Sequence, residues 1–149
     1  MLIDKILGFI YRKDVTFTTA LFASDRLAMD VFDEQHLILK FPLTGLWKPK
    51  PRRFQADPFL FVKDNELYLF YELQHWDDPG CIAMIKTKDL KAWSKPQIVL
   101  KEPFHLSFPF VFEDQGVIYM IPESQEDDSI RLYRANDDLT SFSFVRVYS

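Results

Sequence analysis

The sequence ADPFLF at 56–61, followed by LYLFYE at 67–72, decides the fold because it occurs twice. The second copy reads SFPFVF at 107–112 and IYMIPE at 118–123, 51 residues further along the chain. Identical residues coincide in one register at Pro58 and Pro109, Phe59 and Phe110, Phe61 and Phe112, Tyr68 and Tyr119, and Glu72 and Glu123. A repeat of about 40–50 residues built from short strands is typical of β-propeller blades. The repeat therefore predicts two consecutive blades.

Each copy has the strand pattern of one four-stranded blade. In the first blade, at about 56–101, we expect strands over 59–63, 67–72, 81–87 and 97–100. In the second blade, at about 107–149, we expect strands over 110–113, 117–122, 129–135 and 142–148. Turn-forming residues separate the paired strands, as in β-hairpins. The predicted fold class is all-β, with two full four-stranded blades.

The first 50 residues differ from the repeat. Apolar residues at helix-like spacing predict a short helix within 2–10, and strands are expected over 15–23 and 36–43. A basic, proline-rich connector follows at 46–55. We therefore divide the chain into residues 1–50, with the helix, a partial N-terminal blade and the start of the connector, and residues 51–149, with the two blades.

Two blades and a part of a third do not close a propeller, which needs at least about four blades. The chain has 149 residues. An open ring leaves an apolar sheet face uncovered, which soluble monomers rarely tolerate. We expect either that further C-terminal blades belong to a longer protein, the alternative that we favour, or that copies of the chain associate as a homo-oligomer.

Composition narrows the class of partner. Aromatic residues make up 16% of the chain, including 15 phenylalanines, which suits sheets that bury both faces. The net charge of −4 argues against nucleic acid, because nucleic-acid-binding domains usually carry a basic surplus. One cysteine and three histidines have no metal-ligand spacing, and no glycine-rich phosphate loop occurs, so we expect neither metal nor cofactor.

The N-terminal apolar run bears on location. It is interrupted by Asp4 and Lys5, and it is too short to span a bilayer. It also lacks the basic segment and cleavage site of a signal peptide. We expect no transmembrane segment and a cytoplasmic protein.

Six segments carry a resemblance to a known family: ADPF at 56–59, LYLFYE at 67–72, the turn from Asp89 to Trp93, EPFHLSFPFVF at 102–112, YMIPES at 119–124 and IRLYRA at 130–135. Together they resemble the N-terminal domain of glucosamine inositolphosphorylceramide transferases and of their bacterial relatives. That domain is similar to the five-bladed propeller of family 43 glycoside hydrolases. The resemblance implies a fragment of a five-bladed propeller whose partner is a carbohydrate or glycolipid. In the transferase family the transfer chemistry lies on a separate domain.

The repeat also separates structural from functional carboxylates. Asp57 breaks the repeat, because its equivalent is Phe108. In propellers similar to family 43 the matching aspartate acts as general base or nucleophile, and the structural alternative is a carboxylate that caps the turn. Glu72 and Glu123 recur at the ends of equivalent strands, where an acid can bond the backbone or serve as general acid. Of these two glutamates, Glu123 is the better candidate.

Three further residues are candidates for substrate binding. His105, just before the second inner strand, can bind a sugar hydroxyl or orient a carboxylate. His75 and Trp76, expected in the loop after the second strand, can form a stacking wall for a sugar ring, or simply plug the surface. Three functions stay open: a glycan-binding or glycoside-hydrolase-like domain, a non-catalytic module that positions a glycan or glycolipid for a glycosyltransferase, and a protein-interaction propeller.

Overall fold

The computed structural model describes residues 19–23, 34–40, 53–75 and 78–148. These residues form ten strands: β1 (Ala20–Phe22), β2 (Leu37–Lys40), β3 (Arg53–Lys63), β4 (Glu66–His75), β5 (Cys81–Thr87), β6 (Gln97–Leu100), β7 (Ser107–Asp114), β8 (Val117–Glu123), β9 (Ile130–Ala135) and β10 (Phe142–Tyr148). A single 3-10 turn at Gln125–Asp127 lies between β8 and β9. The predicted helix within 2–10 and most of the connector lie outside the described residues.

The strands form three antiparallel sheets in chain order. The first blade is β3-β4-β5-β6, the second blade is β7-β8-β9-β10, and β1-β2 is a two-stranded hairpin before them. Each strand pairs with its sequence neighbour, which is the meander of a propeller blade. The predicted all-β class, with two full blades and a partial N-terminal one, is therefore confirmed.

The inner hairpins are longer than predicted. We expected the inner strands to start at Phe59 and Phe110, directly after the two prolines, which cannot donate a ladder hydrogen bond. Instead, pairing resumes beyond each proline, with Ala56 opposite Glu72 and Ser107 opposite Glu123. A β-bulge in each inner strand accommodates the proline. As a result β3 starts at Arg53, inside the predicted connector.

The first blade is buried on both faces because alternate residues of β4 point in opposite directions. One face, with Tyr68 and Phe70, packs against the second blade, where Phe142 meets the Phe70 ring edge to face at 5.8 Å. The other face packs against Leu39 of β2 and the Trp93 side chain. Each interface buries a layer of large apolar groups, so the sheets are stacked layers of one core.

The second blade repeats this pattern on its outer face, which points away from the first blade except at the inner edge, where Phe110 still meets Phe59. Its side chains are the register equivalents of the first blade's buried interface residues, and they are Phe110, Phe112, Tyr119 and Ile121. Phe110 and Phe112 stack at 5.5 Å, yet the Phe110 side chain is 52% exposed. Within the described residues no strand covers this face. We still predict that further blades or a homo-oligomer cover this face.

Replacement of a phenylalanine by alanine should destabilise the chain by different amounts at the interface between the blades and at the outer face of the second blade. Phe70→Ala removes a fully buried ring between the blades and should lower the free energy of unfolding by about 3–5 kcal/mol. Phe110→Ala removes a half-exposed ring and should cost less than half of that amount. Urea unfolding followed by tryptophan fluorescence measures both variants, and equal losses would contradict the stacking of the two blades.

Candidate functional site

Two equivalent bulges shape the site. Asp57 and Phe108 have φ angles of 49° and 43°, in the left-handed region that bulky residues rarely adopt. Each residue precedes a proline and lies at the bulge of its inner strand. Bulges re-aim side chains at the ends of sheets. The backbone feature therefore belongs to both blades, and only the residue that it presents differs, a carboxylate in one blade and an aromatic ring in the other.

Asp57 and Phe108 line the same cavity. It has a volume of about 420 Å³ and is completed by Pro58, Phe59, Pro109 and Phe110. Phe108 is 62% exposed and also borders a second cavity of about 620 Å³, which contains Glu123 and Ser124. The Phe108 ring thus lies between the cavity of Asp57 and that of Glu123.

Phe108 is the functional candidate that the sequence analysis missed. There it served only as the apolar counterpart that made Asp57 unusual. The signal that could have identified it is its position, because a bulge that exposes Asp57 in one blade also exposes the equivalent residue in the next. An exposed aromatic ring beside a carboxylate offers an apolar platform with polar groups at its edge.

Glu72 is the most perturbed group of the site. It is 7% exposed, and its pKa is raised from 4.5 to about 7. Burial is the largest cause, followed by a hydrogen bond with the Asp57 carboxyl and by the negative charges of Asp57 and Glu123. Since two carboxyl groups form a hydrogen bond only through a proton, this contact favours the protonated form of Glu72.

Glu123 has a different environment from Glu72 although the two are equivalent in the repeat. Its side chain is exposed, and its Oε2 accepts a hydrogen bond of 2.6 Å from the hydroxyl of Ser107. Ser107 is the strand partner of Glu123 and takes the place that Ala56 has opposite Glu72. The second blade therefore supplies its glutamate with a hydroxyl donor that the first blade lacks.

His105 reaches the site from the loop before β7. Its Nδ1 accepts a hydrogen bond of 3.0 Å from the N–H of Gly80, so the ring proton resides on Nε2. That nitrogen lies 3.3 Å from Oε1 of Glu72. The backbone N–H of His105 donates to Oε2 of Glu126 at 2.7 Å.

Four of the six candidate residues thus lie together: Asp57, Glu72, Glu123 and His105. His75 is the last residue of β4 and pairs with Arg53, so its predicted place in the following loop is wrong. The ladder of β3 and β4 extends this far because β3 continues upstream of its bulge. Trp76 lies outside the described residues, and the stacking wall of His75 and Trp76 stays a prediction.

Among the residues that the structure describes, no group of three or more histidine, cysteine, aspartate or glutamate side chains has an arrangement suited to a metal ion. Across the same residues, no helix has both the length and the apolar character needed to cross a membrane.

The raised pKa of Glu72 predicts a pH-dependent stability. Between pH 4.5 and about 7 the folded state keeps a proton that Glu72 has largely lost in the unfolded chain, so its contribution to stability falls as pH rises through this window and is level above it. Glu72→Gln keeps the hydrogen-bonding shape without ionising. It should gain stability relative to the native chain across this window.

The measurement is urea unfolding of both proteins at pH 5 and pH 8. Glu113→Gln, at an exposed position of β7, is the control and should show the same pH dependence as the native chain. A Glu72→Gln variant whose pH dependence matches that of the native chain would disprove the raised pKa of Glu72.

Comparison with solved structures agrees with the propeller architecture. The structure matches "Bacteroides ovatus Xyloglucan PUL GH43B" with a TM-score of 0.51 and 19% identity, over 62% of this chain and 18% of that one. It matches the "GH43 BlXynB protein from Bacillus licheniformis" with a TM-score of 0.52 and 18% identity, over 66% of this chain and 20% of that one. At such identities the likeness concerns the fold alone.

Sequence relatives are closer. The chain is 48% identical over 99 residues to glucosamine inositolphosphorylceramide transferase 1 of Arabidopsis thaliana, which covers 65% of this chain and 13% of the relative. It is 42% identical over 87 residues to the protein of the same name from Oryza sativa subsp. indica, over 57% of this chain and 12% of the relative. The chain therefore spans only a small part of the length of these relatives.

The family model described as glucosamine inositolphosphorylceramide transferase 1, N-terminal, matches residues 47–148. This range contains both blades and all four of the clustered candidate residues. The resemblance seen in the sequence motifs is confirmed, and the chain belongs to the family of the N-terminal domain of glucosamine inositolphosphorylceramide transferase 1.

Proposed function

We propose that this carbohydrate-related propeller domain binds a glycan across the Phe108 ring, with Asp57 on one side and Glu123 on the other. The observation that carries the proposal is the cavity shared by Asp57 and Phe108. A sugar ring has an apolar face that suits an aromatic platform and hydroxyl groups that suit carboxylate acceptors. Both features are present within one concave site.

The spacing of the carboxyl groups favours binding over hydrolysis. Asp57 and Glu72 are in hydrogen-bond contact. The two acids of a retaining glycosidase stand roughly 5–5.5 Å apart, and those of an inverting one roughly 6.5–9.5 Å apart. A pair in direct contact leaves no room for a glycosidic bond between them. In our proposal the Asp57–Glu72 pair accepts and donates hydrogen bonds to hydroxyl groups.

The charge of the site favours a neutral or cationic sugar. Among the described residues, those that line the two cavities include Asp57, Glu123 and Asp128 and contain no lysine or arginine. An anionic group such as a phosphate would meet only like charges there. The relatives are named for glucosamine and inositolphosphorylceramide, and of these groups the amino sugar fits an acidic site better.

A role for the domain in a longer protein follows from this proposal. The chain corresponds to 13% of the Arabidopsis relative, which is named as a transferase. We propose that such a domain holds a glycan, or the sugar of a glycolipid, for transfer by another part of the protein. A protein-interaction propeller would leave Asp57 bonded to backbone and no open cavity, whereas Asp57 contacts Glu72 and lines a cavity.

A hydrolase-like activity is the second candidate, because one observation favours it. A carboxyl group with a pKa of about 7 can act as a general acid at neutral pH, and Glu72 has that property beside Asp57. Hydrolysis with Asp57 as base and Glu72 as acid would require these two side chains to separate when the substrate binds, and Glu123 is the alternative acid.

The binding test uses two-dimensional NMR titration of the chain with D-glucosamine, with N-acetylglucosamine as the uncharged comparison. The expected result is saturable shifts of the Phe108 and Asp57 amides. Phe108→Ala should weaken binding about tenfold through loss of the stacking surface. Asp57→Asn should weaken it by about 10- to 100-fold through loss of a charged acceptor.

Phe144→Ala is the matched control, because this residue on β10 is 52% exposed, against 62% for Phe108, but does not line either cavity. Binding that Phe108→Ala and Phe144→Ala weaken equally would refute the Phe108 platform. Release of nitrophenol from p-nitrophenyl β-D-xyloside by the native chain, but not by Asp57→Asn, would instead favour the hydrolase candidate.

A further inference from the structure

We infer that His105 is a positioning residue that holds the Glu72 carboxyl group against Asp57, and that Gly80 exists to seat the His105 ring. The inference rests on the proposed glycan site. Of the two roles that the sequence left open for His105, it selects the orientation of a carboxylate over contact with the sugar, and it adds Gly80 and Glu126 as supporting residues.

Both ring nitrogens of His105 are already engaged. Nδ1 accepts from the N–H of Gly80 at 3.0 Å, and Nε2 faces Oε1 of Glu72 at 3.3 Å. A neutral imidazole has one donor and one acceptor, so none is left for a sugar hydroxyl. His105 also lines neither of the two cavities beside Phe108.

Because glycine has no side chain, Gly80 leaves space for the His105 ring that any other residue would fill. A Cβ atom at this position would lie 2.6 Å from Cε1 of His105 and 2.9 Å from the carbonyl oxygen of Leu106. Such distances are far below van der Waals contact, and the Leu106 carbonyl oxygen is a backbone atom. Any side chain here would displace the imidazole from Glu72.

The loop around His105 is fastened to both blades. The Leu106 N–H donates to the carbonyl oxygen of Gly80 at 2.9 Å, on the first blade's side. The His105 N–H donates to Glu126, in the 3-10 turn of the second blade, at 2.7 Å. The ring therefore has a fixed direction, set by backbone bonds on opposite sides of the blade interface.

The consequence concerns the orientation of Glu72. Its carboxyl group faces His105 from the loop before β7, Asp57 from β3 and Glu123 from β8, and its charge also acts on Cys81 of β5, while Glu126 accepts from the backbone N–H of His105. Among these groups His105 places a ring nitrogen beside Glu72, 3.3 Å from Oε1. By facing Oε1 from a fixed direction, it limits rotation of the carboxyl group that contacts Asp57.

Two substitutions at one position separate the roles. His105→Gln keeps a donor and an acceptor, whereas His105→Leu removes both. We expect the titration midpoint of the Glu72 carboxyl, followed by carbon-13 NMR, to rise in His105→Leu and to stay near the native value in His105→Gln, because a donor stabilises the ionised form. Gly80→Ala should behave like His105→Leu, and His36→Leu, on the N-terminal hairpin, should change nothing.

Binding of D-glucosamine supplies the second readout. His105→Leu should weaken binding about tenfold, and His105→Gln should retain it within about threefold. If His105→Gln loses binding while Glu72 titrates normally, His105 contacts the sugar and the inference is wrong. If neither variant changes the Glu72 titration, the role of His105 is only structural and the inference is again wrong.

The carboxyl titration needs no ligand, so it separates the two proposals. A native chain that fails to bind the sugar, yet shows the expected dependence of Glu72 on His105, would refute the glycan site and leave the positioning of Glu72 established. Nitrogen-15 NMR of the His105 ring gives an independent check, because the hydrogen bond from the Gly80 N–H to Nδ1 requires the ring proton on Nε2.

Discussion

The face-to-face packing of two consecutive sheets is the constraint on which the rest of the structure depends. Tyr68 and Phe70 of the first blade pack in one cluster with Val111, Met120 and Phe142 of the second blade. Because the blades repeat one another in register, this packing also aligns the ends of their inner strands. Asp57 and Phe108, far apart in sequence, therefore line the same cavity.

The packing of the two blades brings several carboxyl groups close together. Glu72 is nearly buried and lies close to Asp57 and Glu123, so it keeps a proton to a higher pH than usual. A carboxyl group in this state reduces the stability of the chain at neutral pH and above. Groups with shifted pKa values are common at functional sites, where a protein loses some stability because reactive or ligand-binding groups are held close together. In the second blade the equivalent Glu123 is exposed and accepts a hydrogen bond from the hydroxyl of Ser107.

Much of the fold was predictable, because the repeat fixes both register and direction. The outer strands β5, β6 and β10 have the predicted boundaries, since alternation and turn residues define them locally. The inner strands were predicted too short, because a bulge that carries the chain past Pro58 depends on pairing with β4. Such pairing is a tertiary effect that local propensity does not contain.

The site was predictable only in part. Departure from the repeat singled out Asp57, and the repeat also marked Glu72 and Glu123. Nothing in the sequence distinguished a buried Glu72 from an exposed Glu123, because this difference depends on the neighbouring blade. The role of Gly80 was equally hidden, since it concerns contact with a ring 25 residues away.

The most direct test of the central claim is the contact between Phe59 and Phe110, which borders the cavity of Asp57. Their ring centroids lie 5.5 Å apart, edge to face. The measurement is the nuclear Overhauser effect between the two rings in a sample with selectively labelled phenylalanine, assigned with Phe59→Leu and Phe110→Leu. Stacked blades predict a strong cross-peak that either substitution removes. Its absence in the folded native chain would show that the two sheets do not meet and that no shared site exists.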